Sequence, residues 1–219
     1  MQKPEQQYNT DELQKLKTGT TTLAMKFKDG VIIASDRQAT TYYKAGKVQK
    51  TFMLTKEESL VGVSIAGSAG DAVSLVDLMR SELKLYKFEN GHQASVKTAT
   101  SLLSVIMYNG YRRYQPYFVG FLVAGVDHTG NHVYSMDMIG STTEENYAST
   151  GSGSLFALSK LEDAWKADMT EEEAKALAIR AIKLAANRDL YTGYGVDLLI
   201  VTKDGSRREG LDFPQVLDA

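Results

Sequence analysis

The stretch TGTTTLAMKFKDGVIIASDRQAT, Thr18 to Thr40, decides how the chain is read. From Thr20 the side chains alternate: Thr22, Ala24 and Lys26 fall on one face, and Leu23, Met25 and Phe27 on the other. That period of two predicts a strand. Lys28-Asp29-Gly30 follows as a hairpin turn, and VIIAS predicts a second strand covered on both faces. Asp36 closes it. Ahead of this stretch, residues 1–19 are rich in Gln, Lys and Glu, with helix-like spacing only around Leu13 and Leu16. They carry too little apolar surface to fold alone. They read either as a tail or as a removable segment ahead of a folded domain at 20–219.

Working outward, the 219 residues suit one domain with a real core; 43% are apolar and 24% charged, the balance of a soluble globular protein. A net charge of -2 with no basic face predicts no nucleic-acid partner. The absence of cysteine excludes disulfides, thiol nucleophiles and thiolate metal sites. No apolar run approaches the ~18 residues that would span a membrane, and the N-terminal stretch has no secretory apolar core. A cytoplasmic location is expected.

Further strands are expected at 51–55 and 59–66, around the polar turn Lys56-Glu57-Glu58. The period then changes. Val73, Val76, Leu78, Met79, Leu83 and Leu85 predict a helix over 70–88, and Val96, Ala99, Leu102, Leu103 and Ile106 another over 93–113. Strands return at 118–126 and from His132, with a short one near Tyr147. GSGS at 151–154 opens a third helix to about Lys166, and Thr170 with Glu173 forms a capping box before a fourth at 171–188. VDLLIVT and a strand near 207–212 end the chain. This order predicts an α+β, four-layer stack: two largely antiparallel sheets inside, helices outside.

Histidine chemistry has little support. His128 and His132 flank a turn without a third metal ligand, and His92 reads as a loop residue, so no metal, cofactor or Ser-His-Asp triad is expected. A hydroxyl needs a nearby base, and a threonine at a free N-terminus supplies its own, an amine with pKa about 7.7–8.0. Thr20 stands where such a residue would begin the folded region. Alone this is thin, because a threonine-rich strand is ordinarily just a strand. Lys50 is a second candidate, since a buried ammonium can tune a neighbouring hydroxyl, and Asp36 either holds it or caps a turn. GSGS reads as a helix cap or an anion cradle but lacks the Gly-Lys-Ser/Thr of a phosphate loop. The glycine turn IAGSAGD at 65–71 offers backbone N–H groups to an oxyanion. Asp189, past a helix end, reads alone as a turn residue.

Together these pieces resemble the proteasome β-subunit family, threonine proteases of the N-terminal nucleophile hydrolase fold, and most of all its archaeal type with a short propeptide. The motifs are TGTTTLAMKFKDGVIIASDRQAT, IAGSAGD, YASTGSGS and RDLYTGYGVD. The resemblance covers nearly the whole chain from Thr20. It implies self-cleavage between Gly19 and Thr20, with Thr20 the nucleophile and its freed amine the proton shuttle. Asp36 and Lys50 would form the tuning pair. Ser152, Asp189 and Thr192 would orient the amine, and the Gly67 N–H would serve the oxyanion. Thr40, Gly67 and Ala69 would bind the substrate backbone as an added strand. Ala39, Val48, Phe52, Ile65 and Ala69 would line a first specificity pocket suited to large hydrophobic residues, as in chymotrypsin-like cleavage. The chain departs from the family at Thr192, usually Ser, at Tyr194, usually Gly, and in a stretch before Lys50 about two residues shorter than usual.

Expected partners follow from the same resemblance: proteasome α subunits, homo- or hetero-heptameric β rings in a four-ring stack, an ATP-dependent unfoldase, and unfolded polypeptides as substrates. An inactive ring subunit would have lost Thr20, Asp36 or Lys50, and none is lost. A small-amide hydrolase would usually present Cys or Ser at the new terminus.

Overall fold

The alternation at Thr20–Phe27 does produce a strand, β1 (Thr21–Phe27), which turns at Lys28-Asp29 into β2 (Gly30–Asp36), every residue of it buried. The computed structural model describes residues 19–40, 45–57 and 59–213. A short hairpin follows, β3 (Gln38–Thr40) and β4 (Ala45–Lys47), then β5 (Thr51–Met53) and β6 (Leu60–Gly67). After two helices come β7 (Val119–Asp127), β8 (Gly130–Met136), β9 (Thr142–Glu144) and β10 (Tyr147–Gly151). After two more, β11 (Val196–Thr202) and β12 (Gly205–Leu211) close the chain. The helices are α1 (Ala69–Asn90), α2 (Val96–Arg112), α3 (Ser154–Ala164) and α4 (Glu171–Ala186).

One five-stranded sheet runs β10-β1-β2-β11-β12 and the other β5-β6-β7-β8-β9, with antiparallel pairing throughout both. Strand periodicity assigns each side chain to a layer. Leu23, Met25, Ile32, Ala34, Leu198 and Ile200 face α3 and α4, packing on Leu161, Leu177, Ala181 and Ile182. Their neighbours Ala24, Val31, Ile33, Leu199 and Val201 face the second sheet, against Leu60, Leu122, Ala124 and Val133. The outer face of that sheet, with Val61, Val63, Phe121 and Val123, packs on Leu75, Met79, Leu83, Leu103 and Met107 of α1 and α2. Three apolar interfaces therefore separate four layers, helix–sheet–sheet–helix. This is the N-terminal nucleophile hydrolase architecture. Gly62 lets the sheets approach: a Cβ there would lie 2.8 Å from Ile33 Cδ1.

The Thr170–Glu173 capping box forms as expected. Two details differ. The inward stripe of α1 is Ala72, Leu75, Val76, Met79 and Leu83, while Val73, Leu78 and Leu85 face outward, because the helical repeat puts them on the opposite flank. β9 and the β3–β4 hairpin lack a sequence signal of their own; β9 is fully exposed and polar. The helix-like spacing around Leu13 and Leu16 falls outside the described residues.

Candidate functional site

Strand register places the site. β1, paired on both sides, begins at Thr21, so Thr20 sits at the end of an interior strand, only 4% exposed, with Gly19 still joined to it. The Thr20 hydroxyl donates to the Gly19 carbonyl at 2.6 Å. Lys50 Nζ also points at that oxygen, at 3.4 Å.

β2 ends at Asp36 beside this bond, and the residues before β5 bring Lys50 to the same spot. Lys50 Nζ donates to Asp36 Oδ1 at 2.7 Å, and both side chains are buried. Asp36 Oδ1 also accepts from the Thr21 N–H, while Oδ2 accepts from the N–H groups of Gln38 and Gly193. Four donors thus converge on one carboxylate, the number it can accept. Burial pushes the Asp36 carboxyl above its ordinary value, against the opposing pull of Lys50 and the backbone donors. Burial likewise draws the Lys50 ammonium below its ordinary value, against the pull of Asp36. The second direction matters for chemistry, because a desolvated ammonium releases its proton more readily than an exposed one. Lys47 instead pairs with Asp212 at 3.0 Å, and Lys44 lies outside the described residues.

On the other side of Thr20 the groups come from turns. The GSGS turn gives α3 no side-chain cap; its first helical neighbour is Gly153. Ser152 points instead at the site. The Thr20 N–H donates to Ser152 Oγ at 3.2 Å, and Ser152 Oγ donates to Asp189 Oδ2 at 2.6 Å. Thr192 Oγ1 donates to the same carboxylate oxygen at 2.6 Å and lies 2.7 Å from Thr21 Oγ1. Since the Thr192 proton goes to Asp189, Thr21 must be the donor to Thr192. The result is a directed chain of hydroxyls ending on Asp189. Gly151 and Gly153 permit it: a Cβ on either would lie within 2.1 Å of Thr20 O or Thr21 Oγ1 respectively.

Two cavities meet at the Gly19–Thr20 bond and share Gly19 and Gly67. One, about 330 Å³, is lined by the expected Ala39, Val48, Phe52, Ile65 and Ala69, together with Gln38, Gln49 and Val73. The other, about 860 Å³, lies toward Ser152, Asp189 and Tyr191. Gly67 ends β6 at φ 130, where a Cβ would sit 2.3 Å from the Phe118 carbonyl, so only glycine fits the turn. Thr40 lies in β3 and pairs with Ala45.

A family model described as "Proteasome subunit" matches residues 16–201. The chain belongs to the proteasome subunit family. It is 43% identical over 198 residues to "Proteasome subunit beta" of Methanocorpusculum labreanum, covering 89% of this chain and 91% of that protein. It is 43% identical to "Proteasome subunit beta 1" of Thermococcus onnurineus, covering 89% and 93%. "Proteasome subunit beta 2" of Pyrobaculum arsenaticum is 35% identical, covering 90% and 95%.

Two of the three departures from the proteasome pattern, Thr192 and Tyr194, can now be given physical content; the shorter stretch before Lys50 lies partly outside the described residues. Thr192 supplies the hydroxyl that Ser would. Tyr194 holds φ 64, in the left-handed region that glycine occupies without strain. Residues missed in the sequence are Thr21 and Gly193, which bond Asp36, and Tyr191, which packs against Gly19. Thr21 was hidden inside an ordinary strand pattern, and the other two act through backbone and shape. The histidines serve elsewhere: His132 stacks on Tyr134 and bonds Glu144 at 2.9 Å and Thr129 at 2.8 Å, tying β8 to β9. Among the described residues, no helix is long and apolar enough to cross a membrane.

Proposed function

We propose that this chain is a catalytic β subunit of a proteasome core particle, a threonine-type endopeptidase made as a zymogen. It frees Thr20 by cutting its own Gly19–Thr20 bond, so residues 1–19 form a propeptide and 20–219 the peptidase domain. The observation that carries this is the Thr20 hydroxyl 2.6 Å from the Gly19 carbonyl oxygen, between a buried Asp36–Lys50 pair and the Ser152–Asp189–Thr192 chain.

In self-cleavage, Thr20 Oγ1 adds to the Gly19 carbonyl carbon, and its proton passes to Lys50 in the fraction of molecules where that amine is deprotonated. The resulting ammonium then faces the new oxyanion at the position of Gly19 O, and the Gly67 N–H assists. Collapse breaks the C–N bond. The leaving Thr20 nitrogen takes a proton from solvent by way of Ser152, and Lys50 returns to solvent the one it accepted, so the transfer balances. Water hydrolyses the Gly19 ester, releasing residues 1–19 as a carboxylate and leaving a free hydroxyl and amine on Thr20. In the mature enzyme that amine is the base, held by Ser152, Asp189 and Thr192, and the same steps cut peptide substrates through an acyl-enzyme.

Substrates are unfolded polypeptides bound as an extra strand along the backbone of Thr40, Gly67 and Ala69. The apolar cavity of Ala39, Val48, Phe52, Ile65 and Ala69 takes a large hydrophobic residue before the cut bond. The subunit works in the cytoplasm, in heptameric β rings stacked with α rings and fed by an ATP-dependent unfoldase. A fluorogenic peptide panel on assembled particles tests this. Wild type is expected to prefer hydrophobic residues before the cut bond, and Thr20→Ala to be inactive. Preference for acidic or basic residues, or activity retained in Thr20→Ala, would contradict it.

A further inference from the structure

Gly19 is packed tightly against Tyr191. A Cβ added at position 19 would lie 1.5 Å from Tyr191 Cβ, 2.5 Å from its Cγ and 2.7 Å from its Cα. Real Cβ atoms do not approach this closely, and two of the three obstructing atoms belong to the rigid start of the residue. Rotating the tyrosine side chain moves Cγ but leaves the contacts with Cβ and Cα in place. Tyr191 is itself held in place: it follows Asp189 in a tight turn, its N–H points at Asp189 Oδ1 at 3.4 Å, and Thr192 beside it is anchored on the same carboxylate.

Tyr191 lines the larger cavity and contributes no wall to the apolar one. A substrate residue placed with its side chain in the apolar cavity has a Cβ and must fit. Gly19 is tethered through the Thr20 nitrogen and has no room for one. The Cα atoms of Gly19 in the precursor and of a bound substrate residue therefore occupy different positions relative to Thr20 Oγ1.

We propose that Tyr191 is a positioning residue that makes glycine obligatory at position 19 for self-cleavage, while the choice of substrate residue is left to the apolar cavity. This rests on the reading of Thr20 as a self-cleaving nucleophile. With any L side chain at 19, the backbone must shift away from Tyr191, and the carbonyl carbon leaves the reach of Thr20 Oγ1. A misplacement of this size is costly to a reaction that depends on alignment.

The test is a double-mutant cycle on full-length chains assembled with α subunits, following loss of residues 1–19 by intact mass over time. Gly19→Ala is expected to slow cleavage between about tenfold and a hundredfold, the cost of overpacking at a rigid contact. In a Tyr191→Ala background the slowing stays, because alanine keeps the obstructing Cβ. In a Tyr191→Gly background it shrinks by about tenfold, only the Cα at 2.7 Å remaining. The ratio within each background is what counts, so a general slowing by Tyr191→Gly does not blur the reading. Mature Tyr191→Gly particles should rank hydrophobic peptides as wild type does. Equal slowing in all three backgrounds, equal relief by Ala and Gly, or an altered peptide ranking each overturns the proposal. Wild-type particles that keep residues 1–19 overturn the self-cleavage reading instead.

Discussion

The two sides of Thr20 are built differently. On one side Asp36 and Lys50 are buried at a strand end and just before a strand, and every acceptor position of Asp36 is filled. On the other, Ser152, Asp189 and Thr192 hang on turns, and Ser152 is exposed. The first side is part of the core, whereas on the second only Thr192 is buried and Ser152 and Asp189 lie outside it. Stability and chemistry should therefore be coupled on the first and separable on the second.

The largest effect is expected from Lys50→Ala. It leaves the Asp36 carboxylate buried without its counter-charge, which costs about 3–5 kcal/mol. Denaturant unfolding should show that loss along with failure to lose residues 1–19. A change under about 1 kcal/mol would place the pair outside the core. Next comes Asp189→Ala, which removes the acceptor for both Ser152 and Thr192. Peptidase kcat should fall about a hundredfold or more, the usual weight of a proton-handling group, while stability changes by only about 1 kcal/mol. Equal stability losses in the two variants would erase the contrast.

The core side also carries a pH response. Burial lowers the Lys50 pKa, so the fraction that can accept a proton grows as pH rises through a value below the ordinary 10.5. Single-turnover precursor cleavage should therefore speed up with rising pH and lose activity on the acid side. A rate that is flat or falls with rising pH would remove Lys50 as the base. The smallest effect belongs to Tyr194→Gly. Relieving φ 64 gains about 1–2 kcal/mol and loosening the unfolded chain returns up to about 1, so thermal stability should rise slightly. A clear loss would show that the tyrosine side chain matters more than its backbone strain.

The same contrast explains what was legible in the sequence. The core side follows from periodicity: Leu23, Met25 and Phe27 against Ala24 set the face of β1, Gly30 sets the hairpin, and register then delivers Asp36 to Thr21. The capping box announced α4. The turn side depends on backbone shape. Only the family resemblance brought Ser152 and Asp189 together, because a serine after a glycine reads as a cap. β9 and the β3–β4 hairpin are too short to leave a hydrophobic pattern, and β9 is fully exposed. The contact of Gly19 with Tyr191 joins residues far apart in sequence through shape alone, and no pattern of residue types encodes it.

The most direct measurement is the intact mass of this chain after co-expression with α subunits, for wild type and Thr20→Ala. Self-cleavage predicts that wild type loses residues 1–19 and begins at Thr20, while Thr20→Ala keeps them. Wild type that retains residues 1–19 in active particles, or Thr20→Ala that loses them at the same bond, would contradict it.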